Sequence, residues 1–485
     1  MSSFLLVAGF AILFCTQSLY AQAPDISWTN TFGGAEYELA YSVQQTSDGG
    51  YILAGYTNSY GSGNYDVYLV KTDSSGDTLW TRTFGGNAYD PGFSVQQTTD
   101  GGYIIGGSTS SFGAGSSDVY LIKTDSCGDT LWTRTFGGSG YDRGYSVQQT
   151  SDGGYIVTGS TNSFGAGGDD VYLIKTDSSG DTLWTKAIGG YEWEYGFSVR
   201  QTIDEGYIIT GFTDSYGAGG DDVYLIKTDS SGDTLWTKTF GGNNHDVGYD
   251  VQQTTDAGYI VSGSTESYGA GGEDVYLIKT DAIGNTLWTK IFGGYAYDCG
   301  CSVQQTIGGG YIICGYTLSF GAGGSDVYLI KTDSSGDTLW TKTVGGSNND
   351  PGESIQQTTD GGYIVGGCTV SYGAGYSDFY LIKLDPETGI EEETEGSPLP
   401  ALGSIGPNPF SSDLYISYST PEQTNVQLTI FDLSGRVIEI IVSDQLPAGS
   451  HTAMWNPSQD TPDGCYLVVL DACGHHESGK CLKLN

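Results

Sequence analysis

Hydrophobic and polar positions along this chain follow one pattern that repeats every 52 residues. Each repeat contains four short runs rich in β-branched and aromatic residues, separated by clusters of Gly, Asp and Ser. Such runs are typical of strands joined by turns. In the first repeat they predict strands a to d at Tyr41–Thr46, Tyr51–Thr57, Val67–Asp73 and Thr78–Phe84.

The connections within a repeat are of two kinds. Strands a and b are joined by SDGG (47–50), and strands c and d by SSG (74–76). Both are tight-turn sequences, because Gly accepts the positive φ that hairpin turns demand. The b–c and d–a connections are longer. Four antiparallel strands per unit, repeated along the chain, predict the blades of a β-propeller.

The repeat count predicts an all-β, seven-bladed propeller. Strand a occurs seven times, and strand d is marked by seven tryptophans: Trp28, Trp80, Trp132, Trp184, Trp236, Trp288 and Trp340. The first d strand (25–32) precedes every strand a, and the last repeat lacks strand d. We expect the N-terminal strand to complete the seventh blade, because pairing the two ends removes an exposed edge. An open solenoid would carry distinct capping repeats, and the sequence shows none.

Residues 26–385 resemble a known class of repeat. A Gly pair after a strand, then Asp-Val-Tyr, then Trp on the last strand is similar to the kelch-type blade and to propeller repeats of secreted bacterial surface proteins. The resemblance implies a scaffold whose ligands vary widely. The kelch family includes binding scaffolds and a few enzymes, so it leaves both classes open.

Two polar residues recur in every repeat. One is the Asp before Val-Tyr or Phe-Tyr, at Asp66, Asp118, Asp170, Asp222, Asp274, Asp326 and Asp378. The other is the Gln that ends strand a, at Gln45, Gln97, Gln149, Gln201, Gln253, Gln305 and Gln357. Seven equivalent metal or ligand sites are one interpretation. We favour a structural role in which each side chain binds a loop backbone, since repetition follows the fold.

The two ends of the chain carry different segments. Residues 1–23 combine an apolar run with the small-x-small site Ala21-Gln22-Ala23, which predicts a secretory signal peptide. The run is too short for a transmembrane helix. Residues 24–385 form the predicted propeller, and the Glu- and Pro-containing segment 386–404 is an acidic linker.

Residues 405–485 form a second domain without the 52-residue period. Several short apolar runs between Pro/Gly turns predict an immunoglobulin-like β-sandwich. GPNPF (406–410), IFDLSGRV (430–437), PAG (447–449), GCY (464–466) and a late Lys480 resemble the C-terminal sorting domain of type IX secretion substrates. The resemblance implies binding to the type IX secretion machinery and a secreted or outer-surface location on a Gram-negative bacterium. An adhesive or stabilising cap without a sorting role is the alternative.

The composition of the chain limits the classes of partner that it could bind. The net charge of −39 argues against nucleic acid and anionic membranes and favours cations or basic partners. No nucleophile elbow, phosphate-binding loop or His-rich metal motif is present, so we predict no catalytic and no metal residue. The nine cysteines do not follow the repeat, and Cys299 and Cys301 lack zinc-finger spacing. Cys301 and Cys314 fall diagonally on adjacent predicted strands, which disfavours a bond between them.

One sector departs from the other repeats. Its d–a loop carries Tyr191, Glu192, Trp193, Glu194 and Tyr195 and is the most aromatic of the seven. The b–c loops of this sector add acids where other repeats hold Tyr or Ser: Asp169, Asp221 and Glu273. Asp214 and Glu266 extend this set. We predict an acidic, aromatic-lined recognition patch, to which Ca²⁺ could contribute because it prefers oxygen ligands. The alternatives are drift in a solvated rim, or aromatic and acidic side chains that only anchor their loops.

Three functional hypotheses follow. The first is a secreted or surface propeller that recognises an extracellular glycan or protein. The second is an extracellular polysaccharide hydrolase or lyase on the same scaffold; carboxylates are so abundant that they give no signal for a catalytic pair. The third is a structural surface-layer component.

Overall fold

The computed structural model describes residues 22–387, 401–420, 423–432, 436–458, 461–472 and 475–484. Every regular secondary-structure element assigned in these residues is a β-strand. The chain divides into two compact units, Met1–Thr388 and Gly389–Asn485. The predicted signal peptide lies almost wholly, and the acidic linker mostly, outside the described residues. No described helix is long and apolar enough to span a membrane.

The first unit is built from seven four-stranded antiparallel sheets, one for each repeat. Sheet one contains β2 (Glu38–Gln45), β3 (Tyr51–Thr57), β4 (Asp66–Thr72) and β5 (Thr78–Phe84); sheet two β6 (Gly92–Gln97), β7 (Tyr103–Thr109), β8 (Asp118–Thr124) and β9 (Thr130–Phe136); sheet three β10 (Asp142–Gln149), β11 (Tyr155–Thr161), β12 (Asp170–Thr176) and β13 (Thr182–Ile188). Sheet four contains β14 (Glu194–Gln201), β15 (Tyr207–Thr213), β16 (Asp222–Thr228) and β17 (Thr234–Phe240); sheet five β18 (Asp246–Gln253), β19 (Tyr259–Thr265), β20 (Asp274–Thr280) and β21 (Thr286–Phe292); sheet six β22 (Asp298–Gln305), β23 (Tyr311–Thr317), β24 (Asp326–Thr332) and β25 (Thr338–Val344).

The seventh sheet joins the two ends of the array. It contains β26 (Gly352–Gln357), β27 (Tyr363–Thr369) and β28 (Asp378–Leu384), and its fourth strand is β1 (Ile26–Phe32). β1 pairs antiparallel with β28, and Trp28 lies opposite Lys383. The prediction that the N-terminal strand completes the last repeat is therefore confirmed.

Contacts between sheets run from the first to the seventh and back to the first. Ile364 and Leu381 of sheet seven share a buried cluster with Leu53 of sheet one. The Gln45 backbone N–H donates to Gln356 Oε1 at 2.6 Å across the same boundary. Equivalent apolar clusters fill the other boundaries, so most of the core lies between sheets.

The recurring Asp and Gln bind loop backbones, as the structural interpretation predicts. Asp118 Oδ2 accepts the Ala114 N–H at 2.8 Å, and its six equivalents do the same in their own repeats. Gln97 Oε1 accepts the Ser47 N–H of the preceding repeat at 2.8 Å, and this bond also occurs seven times. These side chains are held by the fold itself.

The second unit is also a β structure with one shared core. One sheet has the order β29 (Ala401–Gly406), β30 (Leu414–Thr420) and β33 (Gly449–Trp455); the other has the order β32 (Val437–Leu446), β31 (Thr424–Asp432), β34 (Gly464–Ala472) and β35 (His475–Lys483). Ile416 and Trp455 of the first sheet pack with Leu428 and Val468 of the second, and all four are fully buried. Trp455 Nε1–H donates to Glu439 Oε2 at 3.0 Å, which satisfies the polar end of the indole.

Candidate functional site: an aromatic and acidic cavity in the fourth repeat

The acids of the d–a loops are the anchors of those loops. Glu194 is completely buried; its Oε2 accepts the Gly190 N–H at 2.6 Å, and its Oε1 accepts the Thr213 hydroxyl at 2.8 Å. The equivalent acid binds the equivalent loop in all seven repeats. The expectation that Glu194 faces a ligand is therefore wrong. This carboxylate, at the first residue of its strand, points inward because it accepts hydrogen bonds from several donors of the neighbouring loops.

The neighbouring aromatic residue points outward. Trp193 is 55% exposed, and its loop lies against Gly168 of the preceding b–c loop. A Cβ at Gly168 would lie 2.8 Å from Trp193 Cδ1, so glycine is needed for this close approach. The Trp193 carbonyl accepts the Asp214 N–H at 2.9 Å, which fixes the next loop beside the indole.

Trp193 forms one wall of a cavity of about 230 Å³. Tyr195 and Phe212 form its apolar part, with ring centroids 4.9 Å apart in a stacked arrangement. The polar lining comes from three side chains: Asp214, Asp221 and His245. Residues from three separate loops therefore meet at one opening.

Two of the predicted acids already have partners. Asp221 Oδ2 lies 2.9 Å from His245 Nδ1, and this hydrogen bond raises the pKa of His245 above its ordinary value of 6.5. Asp169 accepts the Tyr195 hydroxyl at 2.7 Å and the Asn162 side-chain amide at 2.7 Å. Asp169 thus orients the Tyr195 ring that lines the cavity, while Asp221 lines it directly.

The remaining predicted residues lie around the cavity. Tyr191 is 84% exposed and Glu192 is exposed, both in the Trp193 loop. Glu273 is partly buried; burial, and then the nearby Glu266 charge, raise its pKa. No group of three or more His, Cys, Asp or Glu side chains in the described part of the chain is arranged to hold a metal ion.

Two lining residues lay outside the predicted patch. His245 stands where four sister loops hold tyrosine, and Phe212 stands where other repeats hold serine, tyrosine or cysteine. Both departures are visible in the sequence. The sequence does not show that these two residues meet Trp193, because Phe212 lies in strand b of the fourth repeat and His245 lies in the loop that leads into the fifth.

Comparison with known proteins identifies the second unit. Residues 404–483 match the family model of the secretion system C-terminal sorting domain, Por_Secre_tail. This domain marks proteins that the type IX system of Bacteroidetes secretes to the cell surface or the extracellular space. The protein is therefore secreted or displayed on the outer surface of a Gram-negative bacterium, and its sorting domain implies interaction with the type IX machinery.

Three distant similarities extend beyond the sorting domain. The regulatory protein FlaEY of Caulobacter vibrioides is 28% identical over 182 residues, and the match covers 32% of this chain and 18% of that protein. Sqt1 from Chaetomium thermophilum aligns with 10% identity and a TM-score of 0.41, covering 80% of this chain and 97% of Sqt1. A tetra-tandem repeat from the extending region of a large adhesion protein aligns with 14% identity and a TM-score of 0.14, covering 91% and 93% of the two chains.

Proposed function

We propose that the seven sheets form a seven-bladed β-propeller with kelch-like blades. Sheet-to-sheet contacts that return from the seventh repeat to the first support closure, as does the β1–β28 pairing. In the second unit, two antiparallel sheets around Trp455 support an Ig-like sandwich for residues 405–485. We assign residues 24–385 to the propeller, 386–404 to a linker and 1–23 to a signal peptide.

The propeller recognises an extracellular glycan or protein through the Trp193 cavity. The observation that carries this proposal is an exposed indole beside a cavity with two carboxylates and an imidazole. Aromatic faces stack on sugar rings and on cationic side chains, and the carboxylates accept hydrogen bonds from hydroxyl or amino groups. Tyr191, Glu192, Asp169 and Glu273 surround this contact and extend its acidic character.

The size of the cavity suggests how much of the ligand it holds. Its volume of about 230 Å³ is below the ~300–1,000 Å³ of typical small-molecule pockets. It therefore suits one sugar unit or one side chain of a larger molecule. An acidic lining on a chain of net charge −39 favours ligands that carry an amine or guanidinium group.

The test is binding of the full-length protein to glycan and peptide arrays, with and without Ca²⁺. We expect binding that Trp193→Ala removes. Tyr297→Ala is the matched control, because Tyr297 occupies the equivalent loop position in the sixth repeat and is 53% exposed. Equal loss in both variants, or binding that survives Trp193→Ala, would place recognition elsewhere. A folded protein that binds nothing on the arrays would favour a structural surface-layer role.

A further inference from the structure

A group of cysteines lies together in the sixth and seventh repeats. Cys299 and Cys301 belong to β22, and Cys314 to β23; Cys368 belongs to β27. All are free thiols; Cys301 is half-buried and the other three are buried. Equivalent positions in the other repeats hold other residue types, so these cysteines are not part of the repeat pattern.

The local backbone brings two of these thiols together. The pairing of β22 with β23 shifts register between Gly300 and Ser302, so Cys301 occupies a β-bulge. Its sulfur lies 3.9 Å from the Cys299 sulfur. Five other repeats place an aromatic residue at the bulge: Tyr41, Phe93, Tyr145, Phe197 and Tyr249.

The bulge of the sixth sheet lies at the wall of a cavity. Cys301 and Glu353 both line a cavity of about 120 Å³, to which the a strands of all seven sheets contribute. Glu353 occupies the bulge-equivalent position of the seventh sheet, beside the sixth sheet that carries Cys301. A carboxylate in this position can accept the thiol proton when Cys301 reacts.

Cys314 is a poorer partner for Cys301. Cys314 pairs in register with Ser302, and its sulfur lies 2.7 Å from the position a Cβ would take at Gly352 of the next sheet. The Cys314 side chain therefore packs against sheet seven. Because the protein is exported, its thiols meet an oxidising environment, where disulfides persist.

We propose that Cys299 and Cys301 form a disulfide in the exported protein. The Cys301 thiolate attacks a disulfide-bearing oxidant, forms a mixed disulfide and releases one thiolate. The Cys299 thiolate then displaces the second sulfur of the oxidant. Two thiol protons are lost, and two electrons reduce the oxidant disulfide to two thiols. The link spans only three residues and restricts the unfolded chain little, so we expect it to add little to the stability of the fold.

The test is thiol mapping of the full-length protein, purified without reductant and equilibrated with oxidised glutathione. Trypsin releases residues 291–331, which contain Cys299, Cys301 and Cys314. After denaturation and alkylation, we expect this peptide to carry one alkyl group on Cys314 and to be lighter by two hydrogens. Reduction before alkylation should give three alkyl groups.

The internal control is Cys127, which is exposed: it should carry glutathione before reduction and an alkyl group after reduction. Chymotryptic cleavage after Tyr311 separates Cys314 from the other two cysteines. Fragments that stay joined would show a bond from Cys314 to Cys299 or Cys301 and overturn the proposal. Full alkylation of Cys299 and Cys301 without reduction would also overturn it. Cys314→Ser should leave the Cys299–Cys301 bond in place.

Discussion

The guanidinium of Arg200 lies 3.3 Å from the carboxylate of Asp250, across the boundary between the fourth and fifth sheets. The other six repeats hold glutamine at the first position and serine at the second. Each glutamine oxygen accepts an N–H from the next sheet. Arginine has no acceptor, and Asp250 instead binds Arg200, the Ser198 hydroxyl at 2.8 Å and the Val303 N–H at 3.1 Å.

This exchange predicts that the two residues are energetically coupled. Arg200→Gln alone leaves the Asp250 carboxylate, which is 12% exposed, without its cation and should destabilise the fold. The double substitution Arg200→Gln with Asp250→Ser restores the pattern of the other repeats and should cost less than the sum of the single changes. We expect a coupling free energy of about 1 kcal/mol.

Urea unfolding of the four proteins measures this coupling. The matched control is the equivalent pair of the first and second repeats, Gln44 and Ser94, which does not contact Asp250; there Gln44→Ala and Ser94→Ala should be closer to additive. Strict additivity of the Arg200 and Asp250 changes would show that the ion pair contributes nothing to the boundary.

A second prediction concerns a missing acid in the sixth repeat. Six strand-c lysines form ion pairs with an aspartate of the a–b turn, as Lys175 does with Asp152 at 2.9 Å. Lys331 has Gly308 at that turn position and instead binds Thr306 Oγ1 at 2.9 Å. A Cβ at Gly308 meets no atom within 4 Å. Gly308→Asp should therefore supply the carboxylate without strain.

We expect Gly308→Asp to raise the free energy of unfolding by about 0.5–1 kcal/mol, because the partner acids in the other repeats are largely exposed. Burial lowers the pKa of Lys331, and a carboxylate at this turn should raise it again. Gly308→Asn is the control that keeps size and hydrogen bonding but lacks charge. Thermal unfolding at low and high salt separates them: only the aspartate variant should lose its gain in salt.

The repeat pattern predicts the strands well, and the departures have local causes. β3 and β5 begin and end at the predicted residues, Tyr51–Thr57 and Thr78–Phe84. β2 begins at Glu38, three residues earlier than predicted, because the bulge at Tyr41 interrupts the alternation of side chains. Strand β29 of the second unit was not predicted from its sequence.

The candidate site is less predictable because it depends on contacts between repeats. The sequence identifies Trp193 and Asp221 as departures but leaves open whether Glu194 faces a ligand or anchors its loop. The same holds for Arg200 and Asp250, which are separated by 50 residues and meet only because successive a strands are adjacent. Departures from the repeat are visible in the sequence, whereas their pairing requires the structure.

A third prediction concerns the ionisation of His245. The Asp221 carboxylate stabilises the imidazolium, so Asp221→Asn should lower the His245 pKa towards 6.5. Because the folded pKa is raised, the stabilisation is complete below 6.5 and is lost as pH rises through the folded value. An NMR titration of the His245 imidazole measures the change. Asp169→Asn is the control, and an unchanged pKa in Asp221→Asn would refute the assignment.

The final prediction concerns Glu353, which lines the same cavity as Cys301. Burial raises its pKa from 4.5 to about 7. Between these values the folded protein holds a proton that the unfolded chain releases, so the free energy of unfolding falls as pH rises through this window. Glu353→Gln removes that proton exchange and should flatten the dependence.

Thermal unfolding of both proteins across this window, with reductant present to keep Cys301 reduced, provides the measurement. Wild type should lose stability relative to Glu353→Gln as pH rises from 4.5 to about 7, and the difference should level off above that value. Buried strand-c aspartates such as Asp170, whose pKa burial raises to about 6, titrate in the same window and affect both proteins equally. Only the difference between the curves therefore reports on Glu353. Glu192→Gln is the control: it removes an exposed carboxylate, and its curve should follow that of wild type. Parallel curves for wild type and Glu353→Gln would instead mean that Glu353 ionises as freely in the folded protein as in the unfolded chain.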